Sequence, residues 1–423
     1  MEYDVVVVGA RVAGSATAML LARQGLRVLV LDRATFPSDT ISSHQVQVPG
    51  MARLHRWGLL DRIRAAGTPA TRQVRFDAGD VVLHGCFPEY EGVDELHSPR
   101  RTLLDALLVE AARAAGAEVR EGFRVESLVR DDDGRVRGIR GRDNRAGAVP
   151  VTHTATLVVG ADGKRSLVAD AVGARRYRTR PALSFASYGY WAGVPLTGGE
   201  FYQRPGLAVA AFPTNDDLTM VYLAAPMAEF PAYRGDIEPN YLAALDRCGD
   251  LGERVRAGVR AERLRTTPDQ PNTLRVPHGP GWALVGDAGA VMDSISAQGI
   301  THALRDAERL SAAVVAGLGG RQPLAAALAG HQRRRDRAIL KMYDFTVRLA
   351  RHRPAGALQR RVLAAVADRP GEADRFLGAF AGITPIDRYF SLATAMRLSG
   401  ARSFSCRSAA PRAAARRARC AGR

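Results

Sequence analysis

The stretch VVVVGARVAGSATAM, residues 5–19, decides the fold, because a glycine turn joins an apolar run to a helical pattern there. Residues 3–8 are largely apolar, as in a parallel strand that is buried on both faces. Small and apolar residues recur at helical spacing over residues 12–23, and a second strand-like run at 27–31 ends in Asp32. The order strand, tight turn, helix, strand and acid predicts a βαβ unit.

Such a unit is the usual binding element for a dinucleotide. Gly9 can make the sharp turn, Gly14 lets helix and strand pack closely, and the amides that open the helix face a pyrophosphate. Asp32 follows the glycines at the distance at which an acid accepts from a ribose hydroxyl. Arg11 stands where this kind of turn carries its middle glycine. The sequence leaves two placements open for its side chain: it points outward, or it contacts a phosphate or ribose.

Length and composition indicate a globular protein with two or three domains. The chain has 423 residues, of which 46% are hydrophobic and 24% are charged. Because it contains no run of about 18 apolar residues and no signal-peptide pattern, we expect no membrane span and a cytoplasmic location. The 4 cysteines lack the spacing of a metal or redox site, so we also expect no bound metal.

The net charge of +17 is partly carried by residues 400–423, which include seven arginines and no acid. This Arg- and Ala-rich tail is predicted to be disordered. Lys164 and Lys341 are the only lysines in the sequence, so nearly all of its positive side chains are arginines. Basic and aromatic residues are not interleaved as in a base-stacking surface, and nucleic-acid binding is therefore not expected.

Changes of pattern along the chain predict a discontinuous first domain. Residues 176–276 have the pattern of an antiparallel sheet rich in aromatic residues, inserted between two segments that favour a parallel sheet. Helical patterns then continue from Gln298 to about Gly378. The predicted divisions are a first domain of residues 1–175 and 277–345, an inserted sheet domain of residues 176–276, a helical segment of residues 346–399 and the tail.

Three separate motifs each join the end of a strand to glycine, aspartate and the start of a helix. They are the Gly9–Gly14 turn with Asp32, VVGADGKRS at 158–166 and LVGDAGAVMDSISAQGI at 284–300. Three such turns suit one long, bent dinucleotide that is held along its length.

With these motifs the sequence resembles the FAD-dependent class A flavoprotein monooxygenases of the para-hydroxybenzoate hydroxylase type, over roughly residues 3–345. It is most similar to their actinobacterial branch, which is grouped with geranylgeranyl reductase-like oxidoreductases and tolerates GAR in the first turn. The resemblance implies an α/β fold, in which a Rossmann-like FAD-binding domain carries an inserted antiparallel β-sheet substrate domain and C-terminal helices. It also implies bound FAD, with NAD(P)H as a transient co-substrate.

The resemblance assigns cofactor contacts position by position. These positions are Gly9, Ala10, Arg11, Val12, Ala13, Gly14, Asp32, Arg33, Ser43, His44, Gln45, Arg101, Val125, Asp162, Gly163, Gly286, Asp287, Gln298, Gly299 and Ile300. Local structure offers other roles for some of them. Asp162 and Asp287 could cap helices. Arg101 could pair with a carboxylate, and His44 could be a loop histidine bonded to the backbone.

The aromatic residues of the inserted sheet are expected mostly in its core. Some of them could line a large, apolar substrate pocket. The candidates are Tyr188, Tyr190, Phe201 and Phe212. No side chain is predicted to be catalytic.

The sequence also departs from the family. Ala290, Ser294 and Ala297 stand where the family has His, Pro and Gly, which puts the movement of the flavin in doubt but not FAD binding. The halogenases of this family need a lysine ahead of the inserted sheet, and no lysine precedes Lys164. YGYWAGVP, at 188–195, also differs from their Trp-x-Trp-x-Ile-Pro pattern. Halogenation is therefore not expected.

The function implied is an FAD-dependent monooxygenase. It would use NAD(P)H and O2 to hydroxylate or epoxidise a bulky aromatic, polyketide or terpenoid substrate in secondary metabolism. An FAD-dependent reductase of isoprenoid double bonds is the main alternative, because both activities use the same FAD frame. A noncatalytic binding protein that retains the fold is a further one. The basic helical stretch 338–367 could lie on a membrane surface or pack on the FAD domain, and stable membrane insertion is not expected.

Overall fold

A computed structural model describes residues 1–399; the tail predicted to be disordered lies outside the described residues. The strands are β1 (Tyr3–Val8), β2 (Val28–Leu31), β3 (Ala70–Thr71), β4 (Gln73–Asp77), β5 (Val82–Cys86), β6 (Leu96–His97), β7 (Glu118–Arg120), β8 (Phe123–Arg130), β9 (Val136–Asp143), β10 (Val151–Gly160), β11 (Arg176–Arg180), β12 (Ser184–Ala192), β13 (Gly199–Arg204), β14 (Leu207–Pro213), β15 (Leu218–Pro226), β16 (Val259–Arg260), β17 (Arg265–Thr267), β18 (Asn272–Arg275), β19 (His278–Gly279), β20 (Trp282–Leu284) and β21 (Ala290–Val291).

The helices are α1 (Val12–Ala22), α2 (Val48–Arg56), α3 (Leu60–Ala65), α4 (Arg101–Ala114), α5 (Leu167–Ala171), α6 (Phe230–Tyr233), α7 (Ile237–Leu245), α8 (Leu251–Ala257), α9 (Gly299–Leu318), α10 (Leu324–Leu349), α11 (Ala357–Ala367), α12 (Glu372–Ala381), α13 (Ile386–Tyr389) and α14 (Leu392–Ser399). Within residues 1–399, none of them combines the length and hydrophobicity that crossing a membrane requires.

The first compact unit is formed by residues 1–44, 99–182 and 270–347. Its main sheet has the order β19-β20-β10-β1-β2-β7, and β20, β10, β1, β2 and β7 run parallel. β1 lies in the middle, and the side chains of Val5, Val6 and Val7 are fully buried, as its unbroken valine run predicts. α1 packs against both α4 and α9. The βαβ unit predicted from the sequence is therefore the centre of this unit.

The second unit is formed by residues 45–98 and 183–269 and by the described residues from Arg348 onward. Its largest sheet has the order β16-β12-β15-β14-β13-β4-β5, with β17 beside β12, and all its pairings are antiparallel except that of β13 with β4. Side chains of α7 and α8 form a core with one face of this sheet, which includes Phe185, Trp191 and Tyr202. The predicted fold class is confirmed. It is an α/β fold, in which a segment that forms an antiparallel sheet is inserted into the sequence of a unit that has a parallel sheet.

The division into units differs from the predicted one. Residues 45–98 were predicted in the first domain but lie in the second unit, because β4 pairs with β13 and places Phe76 beside Phe201. Residues 176–182 and 270–276 lie in the first unit, where β11 pairs with β18. These strands pair with segments that are distant in the sequence. Such pairing produces no local periodicity, so the sequence pattern could not predict it.

A buried carboxylate joins three segments of the second unit. Glu95, whose side chain is fully buried, accepts hydrogen bonds from Arg64 at 2.7 Å and from His97 at 2.9 Å. Arg72 also pairs with it. Burial alone would raise the pKa of Glu95, but its hydrogen bonds to His97 and Arg64 and the charges of His97 and Arg72 outweigh burial and lower the pKa to about 2. The ionised group thus fastens α3 to β6.

We predict that Glu95→Gln flattens the acid dependence of stability. Because the folded-state pKa of about 2 lies below the ordinary value of 4.5, the stability contributed by Glu95 is complete above pH 4.5 and is lost as the pH falls toward 2. At pH 7 the substitution should lower the free energy of unfolding by about 3 kcal/mol, since Arg64, Arg72 and His97 lose the buried carboxylate that they share. Urea titrations from pH 2 to pH 7 measure both effects.

Asp61→Asn is the matched control for this substitution. Asp61 pairs with the same Arg64, but 84% of its side chain is exposed. Its loss should change the free energy of unfolding by less than about 0.5 kcal/mol at every pH. Equal effects of the two substitutions would show that Glu95 is not the group that titrates.

Candidate functional site

The first turn of the βαβ unit is closed by contacts that only glycine allows. Gly9 has φ +104°, and its amide donates to the Leu31 carbonyl at 2.8 Å. A Cβ on Gly9 would lie 2.5 Å from the carbonyl oxygen of Ala161, in the second motif. A Cβ on Gly14 would lie 1.8 Å from the Gly9 oxygen. The first and second motifs therefore meet at Gly9, as the sequence predicts for parts of one site.

Like α4, the helices α1, which follows Arg11, and α9, which follows Gln298, begin without an acid in their first turn and without a side-chain cap bond. The two helices pack against each other, and the Ser311 hydroxyl donates to the Thr17 carbonyl at 3.4 Å. The amides of a first helical turn have no partner within the helix, and the helix dipole is positive there. Both ends suit an anionic ligand.

Asp32 stabilises the first turn by two hydrogen bonds and can accept a further hydrogen bond from a ligand. Its Oδ2 accepts from the Ala10 amide at 2.6 Å, and its Oδ1 accepts from the Ala34 amide at 2.8 Å. The side chain is half-buried. Since each carboxylate oxygen can accept two hydrogen bonds, Asp32 can still accept from a ribose hydroxyl.

Arg11 points to a carboxylate of α4. Its Nη1 donates to Asp105 Oδ2 at 2.5 Å, and its Nη2 donates to the Ser38 hydroxyl at 3.0 Å. Arg101 donates to both oxygens of the same Asp105, at 2.9 Å each. Asp105 is fully buried between the two arginines. The sequence analysis did not find Asp105, although its i,i+4 spacing from Arg101 was a usable signal.

The third motif lies against the first turn of α1. Gly286 has φ +61°, and a Cβ there would lie 2.6 Å from the Cβ of Ala13. The neighbouring Asp287 side chain is exposed to water, yet burial among protein atoms raises the pKa of its carboxyl, against the charges of Arg101 and Lys164. An accessible carboxyl that is surrounded by protein lies in a concave surface.

Asp162, in the second motif, caps the next helix. Its Oδ1 accepts from the Ser166 hydroxyl at 2.5 Å, and its Oδ2 accepts from the Val168 amide at 3.2 Å. Burial raises the pKa of its carboxyl against these hydrogen bonds. The alternative role of Asp162 as a helix cap is thus present in the structure, and Gly163 follows it with φ +81°.

The remaining predicted cofactor positions lie in different surroundings. Val125 is half-buried in β8 and pairs with Gly141, and Arg33 is exposed. His44 is fully buried with φ +59°, a left-handed conformation that is uncommon outside glycine. Ser43 and His44 belong to the first unit, whereas Gln45 belongs to the second. Of this group, the structure does not place Gln45 within the unit that holds the three motifs.

The four candidate pocket residues share one face of the sheet in the second unit. Tyr188 lies opposite Tyr222, Tyr222 lies opposite Ala210, and Ala210 lies opposite Phe201. Met220, between Tyr190 and Phe212, belongs to the same face. The other face carries the core with α7 and α8. The structure brings the four residues together on one face of the sheet, where Tyr188, Tyr190 and Phe212 are buried and Phe201 is half-buried.

Comparison with known proteins identifies relatives that match most of this chain. The family model described as FAD binding domain matches residues 2–346. A menaquinone reductase of Mycolicibacterium smegmatis is 31% identical over 71% of this chain and 73% of its own length. Aklavinone 12-hydroxylase DnrF of Streptomyces peucetius is 30% identical over 62% of this chain and 56% of its own. Tryptophan 2-halogenase of Chondromyces crocatus is 25% identical over 78% and 64%. The match spans less than two thirds of the last two relatives.

Solved structures share the fold at lower identity. The myxobacterial chondrochloren halogenase CndH has a TM-score of 0.75 at 22% identity, covering 94% of this chain and 95% of its own. PqsL of P. aeruginosa, in complex with 2-aminobenzoylacetate, has a TM-score of 0.69 at 22% identity, covering 88% of this chain and 99% of its own. These likenesses extend over both units and show the fold.

We predict that Gly14→Ala lowers the free energy of unfolding by about 3 kcal/mol or more, because the new Cβ overlaps the Gly9 carbonyl and either backbone must move. Urea unfolding of the protein without added cofactor measures the change. Gly356→Ala is the control, since a Cβ at Gly356 meets nothing within 4 Å. It should stay within about 0.5 kcal/mol of the parent. A Gly14→Ala protein as stable as this control would contradict the close approach.

We predict strong coupling between Arg11 and Asp105. Asp105→Ala should cost about 3 kcal/mol, because Arg11 and Arg101 then face each other without their shared carboxylate. Arg11→Ala should cost only about 1 kcal/mol, since Arg101 keeps the buried partner. The double substitution should be no less stable than Asp105→Ala alone. A double-mutant cycle by urea unfolding measures the coupling, and additive losses would show that the two residues do not interact.

Proposed function

We propose a monooxygenase activity for this chain, which belongs to the FAD binding domain family and is an FAD-dependent oxidoreductase. The substrate proposed is a bulky aromatic or polyketide compound of secondary metabolism, which is hydroxylated or epoxidised with NAD(P)H and O2. Hydroxylation is the reaction that the name of the relative aklavinone 12-hydroxylase describes.

The residues of the first unit fit FAD. A dinucleotide carries negative charge on its pyrophosphate, and the unit offers the positive ends of α1 and α9 with no acid in either first turn. Arg101 and Lys164 add positive charge beside Asp287. The glycine contacts at Gly9 and Gly14 keep the turn tight, so that its amides stay in a fixed direction. The charge and the hydrogen-bonding groups of this unit suit the cofactor.

We assign the parts of the site as follows. The amides of residues 11–14, at the start of α1, and the carboxylate of Asp32 bind the adenosine and pyrophosphate end. Asp287 and the amides that open α9 at residues 298–300 bind the remainder, and these amides stabilise negative charge there. When bound, FAD supplies the redox chemistry, since it takes two electrons from NAD(P)H and delivers them to O2. The protein supplies binding, orientation and the exclusion of water.

The observation that carries the substrate class is the aromatic face of the second unit. On this face of the sheet strands, Tyr188, Tyr222, Phe201 and Phe212 stand among alanine and methionine side chains. Besides the tyrosines, this face of β4, β5 and β12–β17 carries one ionisable side chain, that of Arg265. Arg265 pairs with Glu262 at 3.1 Å. Such a surface binds a large apolar ligand by burial and ring stacking. We propose that the first unit binds the cofactor and that the second unit binds the substrate.

A reductase of isoprenoid double bonds is the second candidate function. The relative of M. smegmatis named a menaquinone reductase matches 71% of this chain at 31% identity, and a large apolar surface also suits an isoprenoid chain. Halogenation is less well supported despite the halogenase relatives. Lys164 and Lys341 are the only lysines of the chain, both lie in the first unit, and YGYWAGVP at 188–195 differs from the Trp-x-Trp-x-Ile-Pro pattern of the halogenases.

We predict that the flavin-loaded protein oxidises NAD(P)H in air when a polycyclic phenol is added, and that the product carries one oxygen atom from ¹⁸O2. Under nitrogen the same mixture should give no oxygenated product, because O2 is the source of the atom. Mass spectrometry of the product decides. An isoprenoid quinone whose side chain gains two hydrogens across one C=C bond under nitrogen, with no aerobic oxygenation of the phenol, would establish the reductase instead.

We further predict that Phe201→Ala raises the KM for that phenol about tenfold, which is the loss of one aromatic contact of about 1.4 kcal/mol. Val209→Ala is the control, because Val209 lies on the opposite face of the same sheet, in the core with α7 and α8. It should lower stability and leave KM unchanged. Equal KM values for the two variants would remove this face from the substrate site.

A further inference from the structure

A buried carboxylate and a buried histidine stand behind the Gly286–Asp287 turn. The Gly286 amide donates to Asp306 Oδ2 at 3.1 Å, from the second turn of α9. The other oxygen, Oδ1, lies 2.8 Å from Nε2 of His331, on α10. His331 is 0% exposed and Asp306 is 6% exposed. One chain of hydrogen bonds therefore leads from α10 through α9 to the backbone of the turn.

The charges around Asp306 keep this chain intact. Burial disfavours its carboxylate, but the charge and hydrogen bond of His331, the charge of Arg335 and the Gly286 amide outweigh burial and lower the pKa of Asp306. Asp306 therefore remains an ionised acceptor. A hydrogen bond to an ionised acceptor is about twice as strong as a neutral one. The Gly286 amide is thus held firmly in one direction.

Two buried arginines hold the other end of the same turn. Arg275 Nη1 donates to the Ala288 carbonyl at 2.8 Å, and Arg335 Nη1 donates to the Gly289 carbonyl at 3.4 Å. Arg335 Nη2 also donates to the Arg275 carbonyl at 2.9 Å. The turn that carries Asp287 is therefore fixed at its first amide and at its last two carbonyls. None of these side chains belongs to the glycine motifs of the sequence.

We propose that Asp306 and His331 are positioning residues for FAD, which act by holding the Gly286 amide and thereby the direction of Asp287. A buried charged pair is a costly way to fill a core, since an apolar pair of similar volume is often as stable or more stable. The Asp306–His331 pair also accepts a hydrogen bond from the Gly286 amide, beside the proposed cofactor contact Asp287. It therefore fixes the geometry of this turn. The proposal rests on the FAD part of the proposed function and is independent of the reaction catalysed.

The test compares FAD binding by four proteins: the parent, His331→Leu, His331→Gln and His97→Leu. His97 is the matched control, because it is also fully buried and lies 2.9 Å from a buried carboxylate, Glu95, in the second unit. Flavin fluorescence during titration of each apoprotein with FAD gives Kd, and urea unfolding of the same apoproteins gives their stability.

His331→Leu should weaken FAD binding at least tenfold, because the remaining carboxylate loses its donor and the turn can shift. His331→Gln, whose side-chain amide can donate to Asp306, should recover most of the affinity. His97→Leu should destabilise the apoprotein and leave Kd within about twofold of the parent. This pattern separates positioning from a general loss of stability.

Three results would overturn the proposal: an unchanged Kd for His331→Leu, no recovery in His331→Gln, or an equal loss of affinity in His97→Leu. If His331→Leu does not fold, Asp306→Asn takes its place, because it keeps the volume and removes the charge. Its Kd should rise about threefold or more, and an unchanged Kd would contradict the proposal. A parent protein that binds no FAD would instead refute the proposed function, so the two failures are distinguishable.

Discussion

The close approach of the Gly9 carbonyl to the backbone of Gly14 is the constraint on which the rest of the first unit depends. A Cβ at Gly14 would lie 1.8 Å from that oxygen, and a Cβ at Gly9 would meet the backbone at Ala161. The contact brings the first turn of α1 onto the ends of β1 and β10. Gly286 then lies against Ala13 of the same helical turn. Three motifs from distant parts of the sequence thus converge because Gly9 and Gly14 carry no side chain.

Several arginine side chains stabilise the interior of the first unit by hydrogen bonds. Arg11 and Arg101 enclose Asp105, and Arg275 and Arg335 bind carbonyls of the turn that carries Asp287. Arg335 is only 1% exposed, which is rare for a charged side chain and tolerable because each contact is a directed hydrogen bond. The high net charge of the sequence is therefore a poor guide to its partners. Part of it is used inside the protein.

The sequence predicted what local patterns encode. The βαβ unit, the antiparallel sheet and the helices that follow Gln298 could be predicted from apolar periodicity and glycine positions, which are properties of neighbouring residues. The place of residues 45–98 could not be predicted, since it depends on β4 pairing with β13. The same holds for the site. Asp32 and Asp287 stand in motifs, whereas the partner of Gly286 is Asp306, whose role depends on how α9 packs.

The departures of this chain from its family motifs are tolerable because the site uses backbone groups. Arg11 replaces a glycine, yet its side chain leaves the turn and binds Asp105. Ala297 replaces another glycine, yet it keeps the left-handed conformation that glycine favours, with φ +51° and ψ +35°. That conformation costs an alanine about 1 kcal/mol, and the packing around it sustains this cost. A ligand that is bound by backbone amides and helix ends depends on the backbone conformation of the site. Side chains can therefore change wherever other contacts maintain that conformation.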